Sequence, residues 1–327
     1  MAGPGRAAMH QLKLDEQAEF FVVLVDKKEK LSKFDKPFWE LGLRDAKKTA
    51  KGFVWNDSPL FRPCGEAWPV GTHLRMTGKL SKFGVTIVDA RPATDADRAD
   101  GYDPKSFDAG TRFDVEELFA AYLALADSIA DPPLRALVRG LAERHADALK
   151  LHPAAARNHH AYRGGLLEHL VSVARTGVWL AEKYVDYYPD LRPPVSRDLV
   201  VAGCLLHDLG KLDELEQRPE QIVYTPRGQL VGHVLVGRDM VRDFARELPG
   251  FDPVTLLVLE HIVLSHQGTK EWDSPKEPAC PEALLVHYAD DIDAKMNMFA
   301  NIIETSDGGD GFTDANNIFR RRLFKGR

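Results

Sequence analysis

The stretch LVVAGCLLHDLGK, residues 199–211, decides both the fold and the chemistry predicted for this chain. Its first eight residues are apolar or glycine, which predicts a buried helix, and Gly210 suits the C-terminal cap of that helix. His207 and Asp208 lie at the end of the helix, so both side chains are expected inside the protein. Because an unpaired buried carboxylate costs several kcal/mol, Asp208 needs either a metal ion or the Lys211 ammonium as a partner.

Other candidate ligands occur on neighbouring predicted helices. His169 shares an apolar face with leucine, valine and tyrosine residues at helical spacing. A histidine on such a face is more often a hydrogen-bonded core residue than a metal ligand. The combination is more specific than any single residue. Further imidazoles and a carboxylate in the same part of the chain come from His233, His261, His266 and Asp290.

These residue types predict a divalent metal site. Imidazole nitrogen and carboxylate oxygen suit Mn²⁺, Fe²⁺, Co²⁺ or Zn²⁺. The three cysteines, Cys64, Cys204 and Cys280, form no C-x-x-C pair, which argues against a disulfide framework and a thiolate zinc site. On a straight helix His261 and His266 diverge by about 140°, so only one of them is expected to face the metal.

Length and composition predict two globular domains. The chain has 327 residues, and a domain typically has about 150. It is 44% hydrophobic and 28% charged, without an apolar run near the ~18 residues of a membrane helix. The segment before Asp15 lacks the hydrophobic region of a secretory signal. A soluble cytoplasmic protein that does not bind membranes is therefore expected.

The front of the chain predicts a small all-β barrel. Short apolar or alternating runs, punctuated by Gly and Pro, predict five strands. They span residues 20–25, 37–43, 51–55, 73–80 and 85–90, with an irregular insert before the fourth. A disordered N-terminus is expected over residues 1–18, and an acidic, turn-rich, exposed linker over residues 93–113.

From Asp114 onward the hydrophobic period changes to about 3.6, which predicts an all-α bundle over residues 114–305. Asp114 and Glu117 are spaced as in a capping box that starts the first helix. Further helices are expected at residues 133–151, 166–188, 198–209, 233–247, 253–265 and 281–304. A basic tail, residues 306–327, completes the chain.

Charge is unevenly distributed along the sequence. Residues 20–92 hold 14 Lys and Arg against 8 Asp and Glu, whereas the whole chain has a net charge of −6. A basic front domain suits a polyanionic partner. A solvated charged surface without a partner explains the same numbers equally well.

The order His169, His207-Asp208, Asp290 resembles the HD phosphohydrolase superfamily. Five segments carry a closer resemblance: HPAAARNHHAYRGGLLEHL (152–170), LLHDLGK (205–211), GQLVGH (228–233), LSHQG (264–268) and HYADDIDAKMNM (287–298). They resemble the YhaM-like 3′→5′ exoribonucleases, bacterial enzymes with an N-terminal OB-fold and a following HD domain. The resemblance covers residues 20–325. It implies a multidomain protein, with an OB-fold barrel at residues 19–92 and an HD helical bundle at residues 114–305.

The resemblance implies two divalent metal ions, with Mn²⁺ favoured over Mg²⁺, Co²⁺ and Fe²⁺. The ligands it implies are His169, His207, Asp208 and Asp290 for one ion, and His233 and His266 for the second. His266 is preferred to His261 because the family's ligand lies in the S-H-x-G segment. Gln267 departs from the family, which usually has a second histidine there. This departure puts a metal or phosphate contact by Gln267 in doubt.

Such a site predicts two-metal hydrolysis of a phosphodiester, in which an activated water attacks the terminal phosphorus. Asp208 helps to hold the ions, and Lys211 is expected to stabilise charge on the phosphoryl oxygens. His159 and His160 lie near the start of the first ligand helix. They are expected to contact the substrate or to cap that helix. The 3′→5′ polarity is implied by the resemblance alone.

An OB barrel offers one strand face to single-stranded nucleic acid, with aromatic residues for bases and basic residues for phosphates. The residues predicted for this role are Trp39 or, in its place, Phe38, together with Phe53, Trp55, Lys51, Arg75, Lys79 and Lys82. Phe53 and Trp55 share a strand face, so burial of both in the barrel core is an open alternative.

The predicted function is a metal-dependent 3′→5′ exonuclease of single-stranded RNA, with single-stranded DNA left open as a second substrate. Two alternatives remain. One is a phosphodiesterase for small or cyclic nucleotides, and the other is a nucleic-acid-binding adaptor with a structural metal. A homo-oligomer is compatible with the sequence, which does not determine the oligomeric state.

Overall fold

The protein divides into two compact units. The computed structural model describes residues 8–45, 49–81, 83–107, 110–156, 159–218, 222–272, 274–306 and 311–326. The first unit comprises Met1–Ala109, Pro219–Gln221 and Asn301–Arg327. The second unit comprises Gly110–Arg218 and Ile222–Ala300. This division between units lies close to the boundary predicted near residue 113.

The first unit contains a closed five-stranded sheet. Its strands are β1 (Gln17–Leu31), β2 (Pro37–Arg44), β3 (Thr49–Trp55), β4 (His73–Ser81) and β5 (Gly84–Pro92). They follow the order β1-β2-β3-β5-β4, and pairing of β1 with β4 closes the barrel. Alternate side chains such as Val22, Leu24, Leu41 and Leu43 fill its core and are fully buried. The five predicted strands are confirmed, although β1 is longer than expected.

A short helix, α1 (Phe61–Ala67), lies in the insert that was predicted to be irregular. The sequence does not predict this helix, because Pro63 and Gly65 are both poor helix formers in isolation. The side chain of Cys64 explains why the segment folds nevertheless. It is fully buried in the barrel core, so tertiary packing outweighs the weak local propensity.

The segment before the barrel is ordered where the structure describes it. Residues Met9–Gln11 form a 3₁₀ turn, and Met9 and Leu12 are fully buried among the barrel side chains. The prediction of disorder through residue 18 is therefore corrected for residues 8–18. Residues 1–7 lie outside the described part of the chain. Two apolar side chains in one turn are enough to anchor this segment, although they form no long periodic pattern.

The predicted exposed linker also packs on the barrel. It contains two 3₁₀ turns, Asp95–Asp100 and Pro104–Phe107, and the Asp97 carboxylate is 2% exposed. The guanidinium of Arg75 donates to Asp97 at 2.6 Å, and it also contacts Glu19 and Asp100 at 2.6 Å. These carboxylates occupy the donors of Arg75. The prediction that Arg75 contacts nucleic acid is corrected for this reason.

The second unit is mainly helical. Its helices are α2 (Val115–Asp127), α3 (Pro132–Arg144), α4 (Ala146–Leu151), α5 (Gly165–Tyr187), α6 (Arg197–Leu206), α7 (Lys211–Glu214), α8 (Pro226–Leu230), α9 (His233–Glu247), α10 (Pro253–Ser265) and α11 (Pro281–Thr305). The last five residues of α11 are counted with the first unit. Two short antiparallel strands, β6 (Leu215–Gln217) and β7 (Ile222–Tyr224), correct the all-α prediction. The helix predicted at residues 133–151 is divided into α3 and α4. No helix in the described residues is long and apolar enough to cross a membrane.

Close packing of α5, α6 and α10 positions the residues that end α6. A Cβ atom on Gly177 would lie 2.5 Å from the Cys204 sulfur, and one on Gly203 would lie 2.6 Å from Ile262. Real side-chain atoms do not approach this closely, so glycine is needed at both crossings. The buried Tyr122 hydroxyl donates to the Leu205 carbonyl at 2.8 Å. The C-terminal end of α6 is therefore held from three sides.

The basic C-terminal segment folds on itself. Phe312 and Phe324 form an isolated antiparallel bridge, and Thr313 and Leu323 between them are buried. Arg322 lies over the ring of Phe312, with its guanidinium carbon 4.9 Å from the ring centroid. The prediction of a basic tail thus holds for its charge, but residues 311–326 are structured.

Replacing Asp97 by Asn is expected to lower the urea midpoint for unfolding of the barrel at pH 7. Arg91, the Thr94 N–H group and Arg75 hold the pKa of the Asp97 carboxyl far below its usual value. A depressed pKa stabilises the fold above pH ~4, the unfolded value for Asp, and this stabilisation is lost as pH falls. Fluorescence of the buried Trp68 reports the transition.

The midpoints of parent and variant should converge as the pH is lowered below ~4. Asp95→Asn is the matched control, since Asp95 lies in the same turn but has a side chain that is 90% exposed. A difference between parent and Asp97→Asn that stays constant with pH would contradict this account of the network.

Candidate metal centre

Asp208 is an ionised carboxylate buried at the end of α6. Its side chain is 2% exposed, and Oδ2 lies 2.6 Å from the Lys211 Nζ atom. Burial alone would raise the pKa of Asp208, but the positive charges of Lys211 and His207 outweigh this effect and hold it well below its usual value. The ion pair with Lys211 leaves the second oxygen, Oδ1, buried without a hydrogen-bond partner among the described residues. One carboxylate oxygen is therefore still available to a cation.

Each oxygen of Asp208 faces its own pair of imidazoles. Oδ2 lies 3.4 Å from His169 Nε2 and 3.5 Å from His207 Nε2. Oδ1 lies 3.4 Å from His233 Nε2 and 3.5 Å from His266 Nε2. Ligand atoms that share one ion at about 2.1 Å are about 3.0–3.4 Å apart, so these spacings suit two neighbouring cations bridged by Asp208.

Asp290 adds a second carboxylate on the His169 and His207 side. It projects from α11, and its Oδ1 atom lies 3.2 Å from His169 Nε2 and 3.7 Å from His207 Nε2. The side chain is 17% exposed, so this side of the cluster is open. The name cage is used below for the six residues His169, His207, Asp208, His233, His266 and Asp290. All six predicted metal ligands are thus brought together.

The far nitrogen of every cage histidine is already hydrogen-bonded. His207 and His266 follow the last residues of α6 and α10, and their Nδ1 atoms donate to the carbonyls of Cys204 at 2.9 Å and Val263 at 2.7 Å. Carbonyls at a helix end lack intrahelical partners and are free to accept. Since a carbonyl only accepts, Nδ1 carries the proton and the lone pair of Nε2 points into the cage.

Carboxylates play the same role for the other two histidines. His169 Nδ1 lies 2.8 Å from Asp293, and His233 Nδ1 lies 2.8 Å from Glu214. Asp293 is further held by the hydroxyl of Ser172. Asp293 lies three residues after Asp290 on α11, so helical spacing places it on the same side, whereas no local pattern in the sequence indicates Glu214 or Ser172. Glu214 lies only three residues beyond Lys211, whereas the histidine it orients lies on a separate helix.

The carboxylates of the cage attract positive charge. Burial alone would lower the pKa of His207, but the carboxylates of Asp208 and Asp290 raise it to about 9. Nitrogen and oxygen donors of this kind suit borderline and hard divalent ions, and a buried orphan oxygen at their centre fits a bound cation.

His159 and His160 occupy different environments. The ring centroid of His159 lies 5.6 Å from that of His169, and burial lowers the pKa of His159 to about 3. His160 is 4% exposed, with Nδ1 2.7 Å from the Tyr162 hydroxyl and Nε2 3.0 Å from Asp293. Both nitrogens of His160 are therefore occupied. These contacts favour the structural alternative for His160 over the predicted substrate contact, because they use both of its ring nitrogens.

His261, a predicted candidate, and Asp291, the neighbour of Asp290, both lie outside the cage. His261 accepts a hydrogen bond from the Ala279 N–H group at 2.9 Å, which confirms that only one histidine of its pair faces the centre. Asp291 pairs with Lys295 at 2.7 Å on the surface of α11. Gln267, in contrast, lies at the cage, because its side-chain nitrogen is 3.2 Å from His233 Nε2.

The outer face of β2 and β3 carries an aromatic cluster. Phe38 lies 4.8 Å from Trp55 and 6.2 Å from Phe53 between ring centroids, and Trp55 is 47% exposed. Phe53 and Trp55 therefore lie outside the barrel core. Lys51 shares this outward register with an exposed side chain.

Trp39 faces the opposite side of the strand. Its ring packs against the barrel core, and its Nε1 atom donates to the Phe61 carbonyl at 3.2 Å. The prediction that Trp39 stacks on bases is corrected, because residues adjacent in a strand point to opposite faces and Phe38 takes the outer position. Lys79 pairs with Asp15 at 3.1 Å and stays partly exposed. Lys82 lies outside the described residues.

Comparison with known families assigns the class of the helical unit. The model of the HD domain matches residues 166–295, a span that contains the whole cage. The chain therefore carries an HD hydrolase domain, and His207 and Asp208 occupy the His-Asp pair predicted from the sequence.

A curated relative assigns the family. The 3′-5′ exoribonuclease YhaM of Bacillus pumilus (strain SAFR-032) is 30% identical over 297 residues, which cover 88% of each chain. The chain belongs to the family of YhaM-like 3′-5′ exoribonucleases, and it is a hydrolase that acts on phosphodiester bonds. No solved structure was found to match it.

Replacing Asp293 by Asn is expected to weaken metal binding by about 10- to 100-fold, as is typical when the carboxylate behind a metal-binding histidine is lost. The charge of Asp293 fixes the proton on His169 Nδ1 and makes Nε2 more basic. Equilibrium dialysis against Mn²⁺, followed by elemental analysis, measures the effect. Asp291→Asn is the control on the same helix and should bind Mn²⁺ like the parent. Equal affinity in Asp293→Asn would show that this carboxylate does not orient the cage.

Proposed function

We propose that the protein is a metal-dependent 3′→5′ exonuclease that degrades single-stranded RNA, with single-stranded DNA as a second substrate to be tested. The observation that carries the proposal is the Asp208 carboxylate, whose two oxygens each face two imidazoles at 3.4–3.5 Å. Such an arrangement suits a pair of divalent ions, the arrangement used for in-line displacement at phosphorus. The 3′ polarity rests on the name of the relative alone.

The proposed cofactor is a pair of divalent ions, with Mn²⁺ favoured over Mg²⁺, Co²⁺ and Fe²⁺. His169, His207 and Asp290 would hold one ion, His233 and His266 the other, and Asp208 both. When bound, such ions activate water for attack and neutralise charge on the phosphoryl oxygens. The mixture of four imidazoles with two carboxylates suits borderline ions better than Ca²⁺ or Mg²⁺.

The remaining polar groups supply contacts for the substrate. Lys211 holds Asp208 through one of its three donors, and the others are proposed to stabilise charge on the phosphate. His159 is kept neutral by its low pKa of about 3. No described residue forms a hydrogen bond with its ring, so we assign it to the terminal phosphate or sugar.

We further propose that the barrel is an OB-fold that binds single-stranded nucleic acid. The strand order β1-β2-β3-β5-β4, with β1 paired to β4, supports this assignment. Bases would stack on Phe38, Phe53 and Trp55, which form one cluster on the outer face. Lys51 and Lys79, and Lys82 beyond the described residues, would contact phosphates.

Cleavage of 5′-labelled single-stranded RNA and DNA, with and without Mn²⁺, tests the activity. We expect a ladder that shortens from the 3′ end, no cleavage after chelation, and a block by a 3′-phosphate. Asp208→Asn should reduce the rate by more than ~100-fold, since groups behind the ligands alone contribute ~10- to 100-fold. Glu182→Gln, on the exposed surface of α5, is the control variant and should cleave RNA at the rate of the parent.

Three outcomes would overturn the proposal. Rapid hydrolysis of a cyclic or mononucleotide diester with slow cleavage of RNA would identify a small-nucleotide phosphodiesterase. RNA binding without metal-stimulated cleavage would identify an adaptor. Equal cleavage of 3′-blocked and unblocked RNA would exclude attack from the 3′ end.

Replacing Trp55 by Ala is expected to weaken binding of single-stranded RNA by about 5- to 100-fold, because stacking of one base on an aromatic ring contributes ~1–3 kcal/mol. Fluorescence anisotropy with the Asp208→Asn protein as background measures affinity without cleavage. Trp179→Ala removes a tryptophan that is 61% exposed on α5 and should not change the affinity. Unchanged binding by Trp55→Ala would remove this face from the proposed interface.

A further inference from the structure

Two buried oxygens for which the described part of the chain offers no hydrogen-bond partner lie at the same end of the cage. One is Asp208 Oδ1, and the other is the side-chain carbonyl oxygen of Gln267, Oε1. His233 lies close to both residues. Its Nε2 atom lies 3.4 Å from Asp208 Oδ1 and 3.2 Å from the Gln267 side-chain nitrogen. A buried polar atom without a partner is unfavourable, so two such atoms around one imidazole need an explanation.

The main chain at Gln267 is fixed by its neighbours. His287 Nδ1 donates to the His266 carbonyl at 2.8 Å. Gly268 has φ +84°, and a Cβ atom there would lie 2.2 Å from the His287 ring. Only glycine tolerates both the left-handed conformation and this contact. The Gln267 side chain therefore extends from a rigid main-chain segment directly beside the cage.

The amide of Gln267 has two orientations of nearly equal shape. In the structure its nitrogen donates to His233 Nε2, and His233 Nδ1 donates to Glu214. This hydrogen bond uses the lone pair that a cation at His233 would need. Half a turn about the last side-chain bond exchanges nitrogen and oxygen, so that Oε1 would lie about where the nitrogen is now.

The distances from this oxygen position to its neighbours then match those between two ligand atoms of one metal ion. Ligand atoms on one ion at about 2.1 Å are about 3.0–3.4 Å apart. The Gln267 nitrogen position is 3.2 Å from His233 Nε2, comparable with the 3.4 Å and 3.5 Å between Asp208 Oδ1 and the two imidazoles of this side. A cation there would satisfy both orphan oxygens at once.

We propose that the Gln267 amide oxygen is a ligand of the ion held by His233, His266 and Asp208. The inference rests on the proposed two-ion centre and adds the chemistry of its second position. A neutral amide oxygen is a harder and weaker donor than imidazole, so this position favours Mn²⁺ over Zn²⁺ and releases its ion more readily than the position at His169 and His207.

Mn²⁺ binding to the full-length metal-free protein tests this assignment without any substrate. Titration followed by electron paramagnetic resonance counts the bound ions and detects coupling between two of them. The parent should bind two coupled ions. Gln267→Leu, which keeps the volume and removes the carbonyl, should bind the second Mn²⁺ about 10- to 100-fold more weakly and the first one unchanged. Gln229→Leu, on the exposed surface of α8, should match the parent.

Two further variants separate ligation from other roles. Gln267→Glu keeps an oxygen at the same place and should retain two coupled ions, whereas a role as N–H donor to His233 predicts loss of the second ion. Gln267→His adds an imidazole and should raise the Zn²⁺ to Mn²⁺ ratio after equilibration with both metals. Unchanged binding of the first ion by Gln267→Leu excludes misfolding as the cause of any loss of the second ion in that variant.

The outcomes distinguish the inference from the proposed function. A parent that binds a single Mn²⁺ would overturn the two-ion centre itself. A parent with two ions and a Gln267→Leu variant that binds both with unchanged affinity would overturn only the role of Gln267. A rise in KM for RNA with unchanged ion binding would also overturn it, because Gln267 would then contact the substrate instead.

Discussion

An ionised carboxylate, Asp208, lies at the buried end of an apolar helix, and its charge must be balanced by groups from other helices. Lys211 supplies one positive charge from the next turn of the chain, at 2.6 Å. The imidazoles come from farther away, on α5, α9 and the end of α10. A buried carboxylate needs compensating groups around both of its oxygens, and the imidazoles on these helices lie close enough to provide them. The apolar core that the helices share brings these imidazoles to one point.

Orientation of the imidazoles divides into two types. His207 and His266 are held by carbonyls of their own helices, three residues earlier, at helix ends where such carbonyls are free. Their orientation is therefore built into the sequence next to them. His169 and His233 depend instead on Asp293 and Glu214, which are distant in the chain. The two sides of the cage each contain one histidine of each type, so both sides combine a local and a long-range support.

The inner and outer faces of strand β2 carry different kinds of side chain. Along β2, Leu41 and Leu43 point inward and Trp39 joins them, whereas Phe38 points outward beside Phe53 and Trp55. Exposed aromatic clusters are unfavourable in water, and their presence on a folded surface is typical of a binding face. The number of basic side chains overstates the positive charge that the barrel presents to a partner. Arg75 is bound by three carboxylates and stabilises the barrel with the segment that follows it.

The sequence by itself predicted most of the long helices, the five strands and a cluster of candidate metal ligands. Periodicity shows which side chains are buried, and a histidine or aspartate at a buried position must have a partner. This reasoning singled out His169, His207, Asp208, His233, Asp290 and one of His261 and His266, and the family resemblance favoured His266. It failed where a short segment is stabilised only by distant contacts, as at residues 9–12 and in α1, because their few apolar residues form no periodic pattern.

Tertiary structure alone decided which groups meet. Helical geometry separated His261 from His266, but only the folded chain showed which of them faces Asp208. Glu214, His160 and Gln267 each contact a helical residue that is distant in the chain. The separations between these partners range from 19 to 133 positions. Hydrogen bonds of this kind leave no trace in local patterning, since any polar residue satisfies a local pattern equally well. Their partners are specified by the packing of the helices, which the sequence encodes only as a whole.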